Sequence, residues 1–278
     1  MPDAPPPGAR PGFSYSTYLK VPELVALQEL RSSPRHHDEQ QFILVHQNFE
    51  LWFKLILWEL DEVALLLDQG DPIESARLLA RASEIARILC AQIHLLETMR
   101  PADFLKFRDL LKPASGFQSA QFREIEFAAG LRDKRWLGLF EDDAWGRKRL
   151  EARLEGPSLW DRFWTCLSKN GMAPAAGDTP RLAALVALYR APQKTPALYA
   201  LAEAFIHFDE QFCLWRDHHV RMVERMIGWK SGTGEASAAR MYGGPSAPLG
   251  THGLDYLSTT LGRKFFPLLW KVRTELTL

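Results

Sequence analysis

The sequence predicts an all-α protein, a helical bundle built on long helices with a smaller helical insertion and a ligand pocket between helices. Two long runs, one through "FILVHQNFELWFKLILWELDEVALLLD" and one from Ala197 to Trp229, place apolar residues at helical spacings and far exceed a strand in length. Helix-start chemistry recurs between them, as at Asp71 followed by Pro72. Alternation of the strand type extends nowhere for long, and no internal repeat is present.

Taken in order, residues 1–13 are rich in Pro, Gly and Ala and are expected to be mobile. "FSYSTYLKVPELVALQEL" leads into a short helix, after which Asp38 is positioned to cap the first long helix. The next helix opens at Asp71 and Pro72 and runs through "IESARLLARASEIARILCAQIHLLETM". A short helix, "PADFLKFRDLL", a Pro/Ser/Gly loop, "KPASGFQS", and the helix "AQFREIEFAA" follow. Shorter amphipathic pieces between 130 and 192 read as a helical insertion, leaving 14–129 and 193–278 as the binding core. After the second long helix comes a Gly-rich loop, and the chain closes with a helix expected from Leu254 to about Leu276.

The 278 residues, 46% of them hydrophobic, can bury a substantial core. Lys+Arg and Asp+Glu balance at 34 each, which argues against a nucleic-acid or acidic-membrane surface and for a small ligand. Cys90, Cys166 and Cys213 lie far apart, without CxxC spacing, as expected of a reducing cytoplasm rather than a disulfide scaffold. No apolar run is long enough to span a bilayer, and the expectation is a soluble protein.

Chemistry enters with two histidines. On the second long helix Phe208, Phe212, Trp215, His219, Met222 and Met226 share a face, so His219 belongs to an apolar stripe. His218 is turned about 100° away, with His207, Gln211, Arg221 and Arg225, onto a face that reads as solvated. His46 sits in the first long helix one turn after Phe42. A lone buried histidine is usually a core residue making one hydrogen bond. Two of them on two long helices of an all-α chain suit a haem pocket, one imidazole ligating the iron and the other above the ring. A haem-free metal site would want further ligands at short spacing; "HHDE", His36 to Glu39, sits at a helix start and reads more easily as a solvated cap, and spacing alone leaves that alternative open.

Four segments carry a resemblance. "HDEQQFILVHQNFELWFKLILWELDEV", "ETMRPADFLKFRDLLKPASGFQSAQFREIEF", "FDEQFCLWRDHHVRMVERMIGWKSGTG" and "FFPLLWKVRTEL" together resemble the tryptophan 2,3-dioxygenase family, cytoplasmic haem enzymes, over about Tyr15 to Leu276. The resemblance implies haem b with His219 as its axial iron ligand, and His46 as the histidine that accepts the indole N–H of L-tryptophan. It implies Arg108 as the carboxylate clamp, Thr233 as the contact to the amino acid's ammonium and carboxylate, and Phe42, Phe104 and Leu111 as pocket walls. Ser115 would lie near the haem edge. Tyr15, Tyr18 and Leu19 would belong to an N-terminal segment that enters a neighbouring subunit's pocket in a homotetramer. The implied reaction is insertion of both atoms of O2 to give N-formyl-L-kynurenine, in the kynurenine pathway of tryptophan catabolism.

The residue types suit those roles. A carboxylate withdrawn from water wants a guanidinium fork, although without the resemblance an arginine at position 108 is better read as a surface residue snorkelling along its helix. A flat indole with one donor wants aromatic walls and one acceptor, which neutral imidazole supplies. One departure bears on substrate: about ten more residues than the family pattern, within "EASAARMYGGPSAPLGTH", follow "GTG" in the loop over the amino-acid end. The rivals are a related haem monooxygenase giving a 2-oxindole from tryptophan or β-methyltryptophan, a non-catalytic haem sensor or carrier, and a haem-free helical interaction protein.

Overall fold

The structure, a computed structural model, describes residues 12–230, 233, 257 and 260–277. Of the Pro-rich stretch 1–13 only Gly12 and Phe13 fall among these, and the long loop 235–252 lies outside the described residues.

The described chain is all-α, without strands. Two short helices, α1 (Tyr15–Leu19) and α2 (Val21–Leu24), precede α3 (His37–Gln69), α4 (Pro72–Leu96) and α5 (Pro101–Arg108). Then come α6 (Ala120–Ala129), α7 (Ala144–Glu155), α8 (Leu159–Lys169), α9 (Asp178–Arg190), α10 (Pro196–Ile227) and α11 (Pro267–Glu275). The two longest elements are α3 with 33 residues and α10 with 32, and α4 packs along both. Their buried stripes, with residues such as Phe49, Phe53, Ile56, Leu60, Phe205, Phe208 and Phe212, form one core. Residues from 130–192 share it, Leu159, Phe163 and Leu167 of α8 against α3 and Leu185 of α9 toward α11.

Asp71 caps α4 as expected, accepting from the N–H groups of Ile73 and Glu74, with Pro72 at the first helical position. Three expectations need correction. The cap of α3 is His36, whose Nδ1 accepts from Asp38 N–H at 3.3 Å, because the helix begins one residue before Asp38. Glu39 is not a solvated cap residue: it is buried and accepts the backbone N–H groups of Arg31 and Ser32, at 2.7 and 3.0 Å, tying the incoming chain to α3. The closing segment is not one helix: Leu257 and Thr260 are helical, the chain leaves the helix through Gly262 to Phe266, and Pro267 starts α11. Proline cannot continue a ladder but suits its first turn, and that sets the break.

The segment before α11 is pinned by buried Asp209 of α10, whose carboxylate accepts from Phe265 N–H (2.9 Å), Phe266 N–H (3.0 Å) and Trp270 Nε1–H (2.9 Å). Seven residues on, Arg216 donates to the carbonyl of Arg263 at 2.9 Å. These polar clasps fix the α10 face from which His219 projects.

Candidate active site

α3, α5, α6 and α10 enclose one large cavity of about 790 Å³, within the span of roughly 300–1,000 Å³ usual for small-molecule and cofactor sites. The cavity gathers most of the sequence-derived candidates: Phe42, His46, Phe104, Arg108, Leu111, Ser115, His219 and Thr233 all line it. Tyr15, Tyr18 and Leu19 do not, and on α1 all three are exposed.

The first wall is built at the start of α3. Phe42 stacks on Phe104 with ring centroids 5.6 Å apart and meets Phe107 edge-on at 5.9 Å, so α5 is held against α3 by aromatic contacts. That contact turns Arg108 inward. Arg108 is only 8% exposed, which excludes the surface-snorkelling reading. The 3-10 turn Asp109–Leu111 completes this end, and Ser115 heads the next turn by accepting from Phe117 N–H at 3.3 Å.

The tautomer of His46 follows from its own helix. Its Nδ1 lies 2.7 Å from the carbonyl of Phe42, and a carbonyl only accepts, so Nδ1 carries the proton and Nε2 is left as an acceptor. Burial holds the ring below its ordinary pKa, although the Phe42 carbonyl pulls the other way. His46 is therefore neutral near pH 7. Its ring packs on Phe42 at 4.1 Å and on Phe49 at 6.0 Å.

His219 lies on α10, its ring parallel to Trp215 with centroids 5.1 Å apart and planes 8° from coplanar. Burial, then the neighbouring His46 and Arg123, push its pKa down to about 4. It makes no hydrogen bond with any described residue, so a neutral imidazole with an uncommitted lone pair stands in an aromatic wall formed with Phe53, Phe122 and Trp215.

This wall matches the donor chemistry of a haem site, which needs one neutral imidazole and an otherwise apolar slot. Among the described residues no group of three or more His, Cys, Asp or Glu side chains has metal-holding geometry.

Sequence reasoning missed the polar half of the cavity. Arg123, Glu126 and Arg216 form a buried network, with Arg123 Nη1 2.7 Å and Arg216 Nη2 3.2 Å from the Glu126 carboxylate. Burial raises the pKa of Glu126, but the two guanidinium groups outweigh it and leave the carboxyl below its ordinary value. Arg123 also stacks on Trp136, 3.5 Å from the ring centroid. The available signal was "FREIEF", which puts an ion pair at helical spacing inside an apolar helix. The face of His218 was misjudged too: Gln211 is buried, and the half-buried His218 ring meets His94 of α4 at 5.4 Å.

The profile of the family described as Tryptophan 2,3-dioxygenase matches residues 6–171 and 159–276 of this chain. The chain belongs to the tryptophan 2,3-dioxygenase family. A tryptophan 2,3-dioxygenase of Nocardioides sp. is 42% identical to it over 269 residues, covering 95% of each chain. That of Herpetosiphon aurantiacus is 40% identical over 276 residues, 95% of this chain and 98% of the relative. For the enzyme of Serratia proteamaculans the identity is 38%, with 95% and 93% covered. Membership in the tryptophan 2,3-dioxygenase family thus spans α1 to α11 and includes the whole cavity wall.

Proposed function

We propose that this chain oxidises L-tryptophan with O2 to N-formyl-L-kynurenine, the entry to the kynurenine pathway, with haem b held in the cavity by His219. One observation carries the reading: two neutral imidazoles from two different long helices line a single cavity that also holds Arg108 and Thr233. A bound haem supplies iron that activates O2. The residues of the chain do the rest. His219 would hold the haem iron through its free lone pair, and Trp215, stacked on it, fixes the plane of its ring. His46, protonated on Nδ1, accepts the indole N–H through Nε2 and so orients the ring.

Phe42 and Phe104 are flat apolar walls for the indole, with Leu111 closing their end. Arg108 clamps the carboxylate bidentately, and Thr233 hydrogen-bonds the amino-acid end. Ser115 lines the same cavity and would help to hold the porphyrin. The aromatic lining excludes water from the reacting ring. Exposure of Tyr15, Tyr18 and Leu19 supports an N-terminal arm that completes a neighbouring subunit's pocket in a homotetramer. The exposed row Leu51, Leu55, Trp58 and Leu65 on α3 supports further subunit contact. Unpaired Cys90, Cys166 and Cys213 accord with a cytoplasmic setting.

The test is anaerobic reduction of the purified holoprotein, addition of L-tryptophan and then air, with visible spectrum and product mass followed together. A product carrying two added oxygen atoms is expected. One added oxygen would establish the 2-oxindole-forming monooxygenase, an unchanging haem spectrum with no product would establish a sensor, and colourless protein from haem-supplemented expression would remove the haem.

A further inference from the structure

Two leucines border the cavity without belonging to the core. Leu24, the last residue of α2, and Leu27 both line it, yet Leu24 is 43% and Leu27 61% exposed, and α2 buries none of its residues. Apolar packing therefore does little to fix this lip. Polar bonds fix it instead. Gln47 of α3 accepts from Gln28 Nε2–H at 2.7 Å and donates from its own Nε2 to the Leu27 carbonyl at 3.1 Å. Gln28 Nε2 also donates to the Leu24 carbonyl at 3.1 Å, so one pair of amides ties down the backbone at both leucines.

The place of this tie gives it chemical weight. Gln47 follows His46 directly on α3, and both line the cavity. His46 presents Nε2 as an acceptor, and water reaching that nitrogen would compete with an indole N–H for it. The leucines, brought by Gln47 to the turn of α3 that carries His46, supply apolar cover there. The tie is also independent of the rest of the entering chain. Arg31 and Ser32 are pinned separately through their N–H groups by Glu39, so loss of Gln47 would free the lip at 24–28 and leave the entry to α3 in place.

Resting on the tryptophan reading above, we propose that Leu24 and Leu27 form a substrate-contacting wall that closes over the indole beside His46, and that Gln47 is the positioning residue that holds this wall shut.

The experiment titrates L-tryptophan into the anaerobic ferrous holoprotein, followed by its visible spectrum, and pairs the resulting Kd with steady-state kinetics. It uses the wild type, Gln47→Met, Leu27→Ala and the double variant, with circular dichroism and haem content to verify folding and loading. Methionine keeps the unbranched shape of Gln47 but makes neither hydrogen bond, so Kd and KM should rise roughly three- to tenfold while kcat stays within about twofold. Leu27→Ala should raise Kd and KM to a similar degree, roughly three- to tenfold. The double variant should be no worse than the larger single one, because an untied wall has no contact left to lose. A tie that serves only folding would lower Tm and leave Kd and KM unchanged, and that result would overturn the proposal while the tryptophan reading stands. Effects that multiply in the double variant would also overturn it, since Gln47 would then act apart from the wall. So would a fall in kcat at unchanged Kd, which would place the effect on His46 itself. A wild-type holoprotein that binds no L-tryptophan would remove both readings.

Discussion

Replacing Arg108 with alanine tests the carboxylate clamp through its burial. Exposed ion pairs contribute about 0.2–1 kcal/mol, because water and salt screen them. Arg108 is 8% exposed, in the cavity wall with Phe104, so the buried regime applies. There, removing one partner of a charge pair costs about 3–5 kcal/mol. The expected loss in kcat/KM for L-tryptophan with Arg108→Ala is therefore on the order of 10² to more than 10³-fold. Tryptamine presents the same indole and ammonium without a carboxylate, so its kcat/KM should change by only a few-fold. Arg108→Lys keeps the charge but loses the planar fork, and that variant should fall between. The assay is steady-state formation of the ring-opened product from both substrates by haem-loaded protein, with haem content determined for each variant. Equal losses for tryptophan and tryptamine would refute the reasoning, since the missing interaction would not be one with a carboxylate.

Three further perturbations have defined outcomes. In the haem-free chain the folded-state pKa of His219 is about 4, below its ordinary value of 6.5, so on acidification the unfolded chain takes up this proton first. Stability from this group is complete above pH 6.5 and falls toward pH 4; in urea titrations His219→Gln should flatten the slope between these limits by up to about 1.4 kcal/mol per pH unit, and an unchanged slope would contradict it. Asp209→Asn keeps the shape but leaves one acceptor oxygen for N–H groups that now meet two, and should lower unfolding free energy by about 2–4 kcal/mol; a loss under about 1 kcal/mol would show that the clasp is dispensable. A Cβ at Gly146 would come within 2.6 Å of Asp143 Oδ2, 2.7 Å of Phe140 Cδ1 and 2.9 Å of Ala120 Cβ, so Gly146→Ala should cost about 1–3 kcal/mol, and a raised Tm would exclude this overpacking.

The long helices were legible because their signal is local. Apolar spacing set α3 and α10 nearly to their observed ends, and Asp71 with Pro72 marked the start of α4. Of the site, the pairing of His46 with His219 was legible as two polar residues on apolar stripes. The position of Arg108 was ambiguous from spacing alone, because its inward turn depends on Phe42 packing against Phe104 from a different helix. Little in the sequence sets Glu39, Glu126 and Asp209 apart from ordinary helix charges, yet each is buried on partners distant in sequence or on backbone donors from other segments. The break before α11 lay in the sequence at Pro267, but the apolar run around it concealed the break.

The buried charges also bear on why a cavity persists where aromatic residues are dense. Apolar walls facing empty space are stabilised by closing, since a wall atom without a neighbour forfeits dispersion energy. Closure here would have to move α6 or α10, the elements that hold Phe122 and Trp215. Arg216 of α10 is bound at once to Glu126 of α6 and to the Arg263 carbonyl, and Glu126 is shared with Arg123. Sliding either helix would leave a carboxylate or a guanidinium buried without its partner, a cost of several kcal/mol that new packing across the gap would have to exceed. The network adds little to net stability by this reasoning. Its effect is to fix the distance between two walls, and with it the plane in which the imidazole of His219 faces the opening.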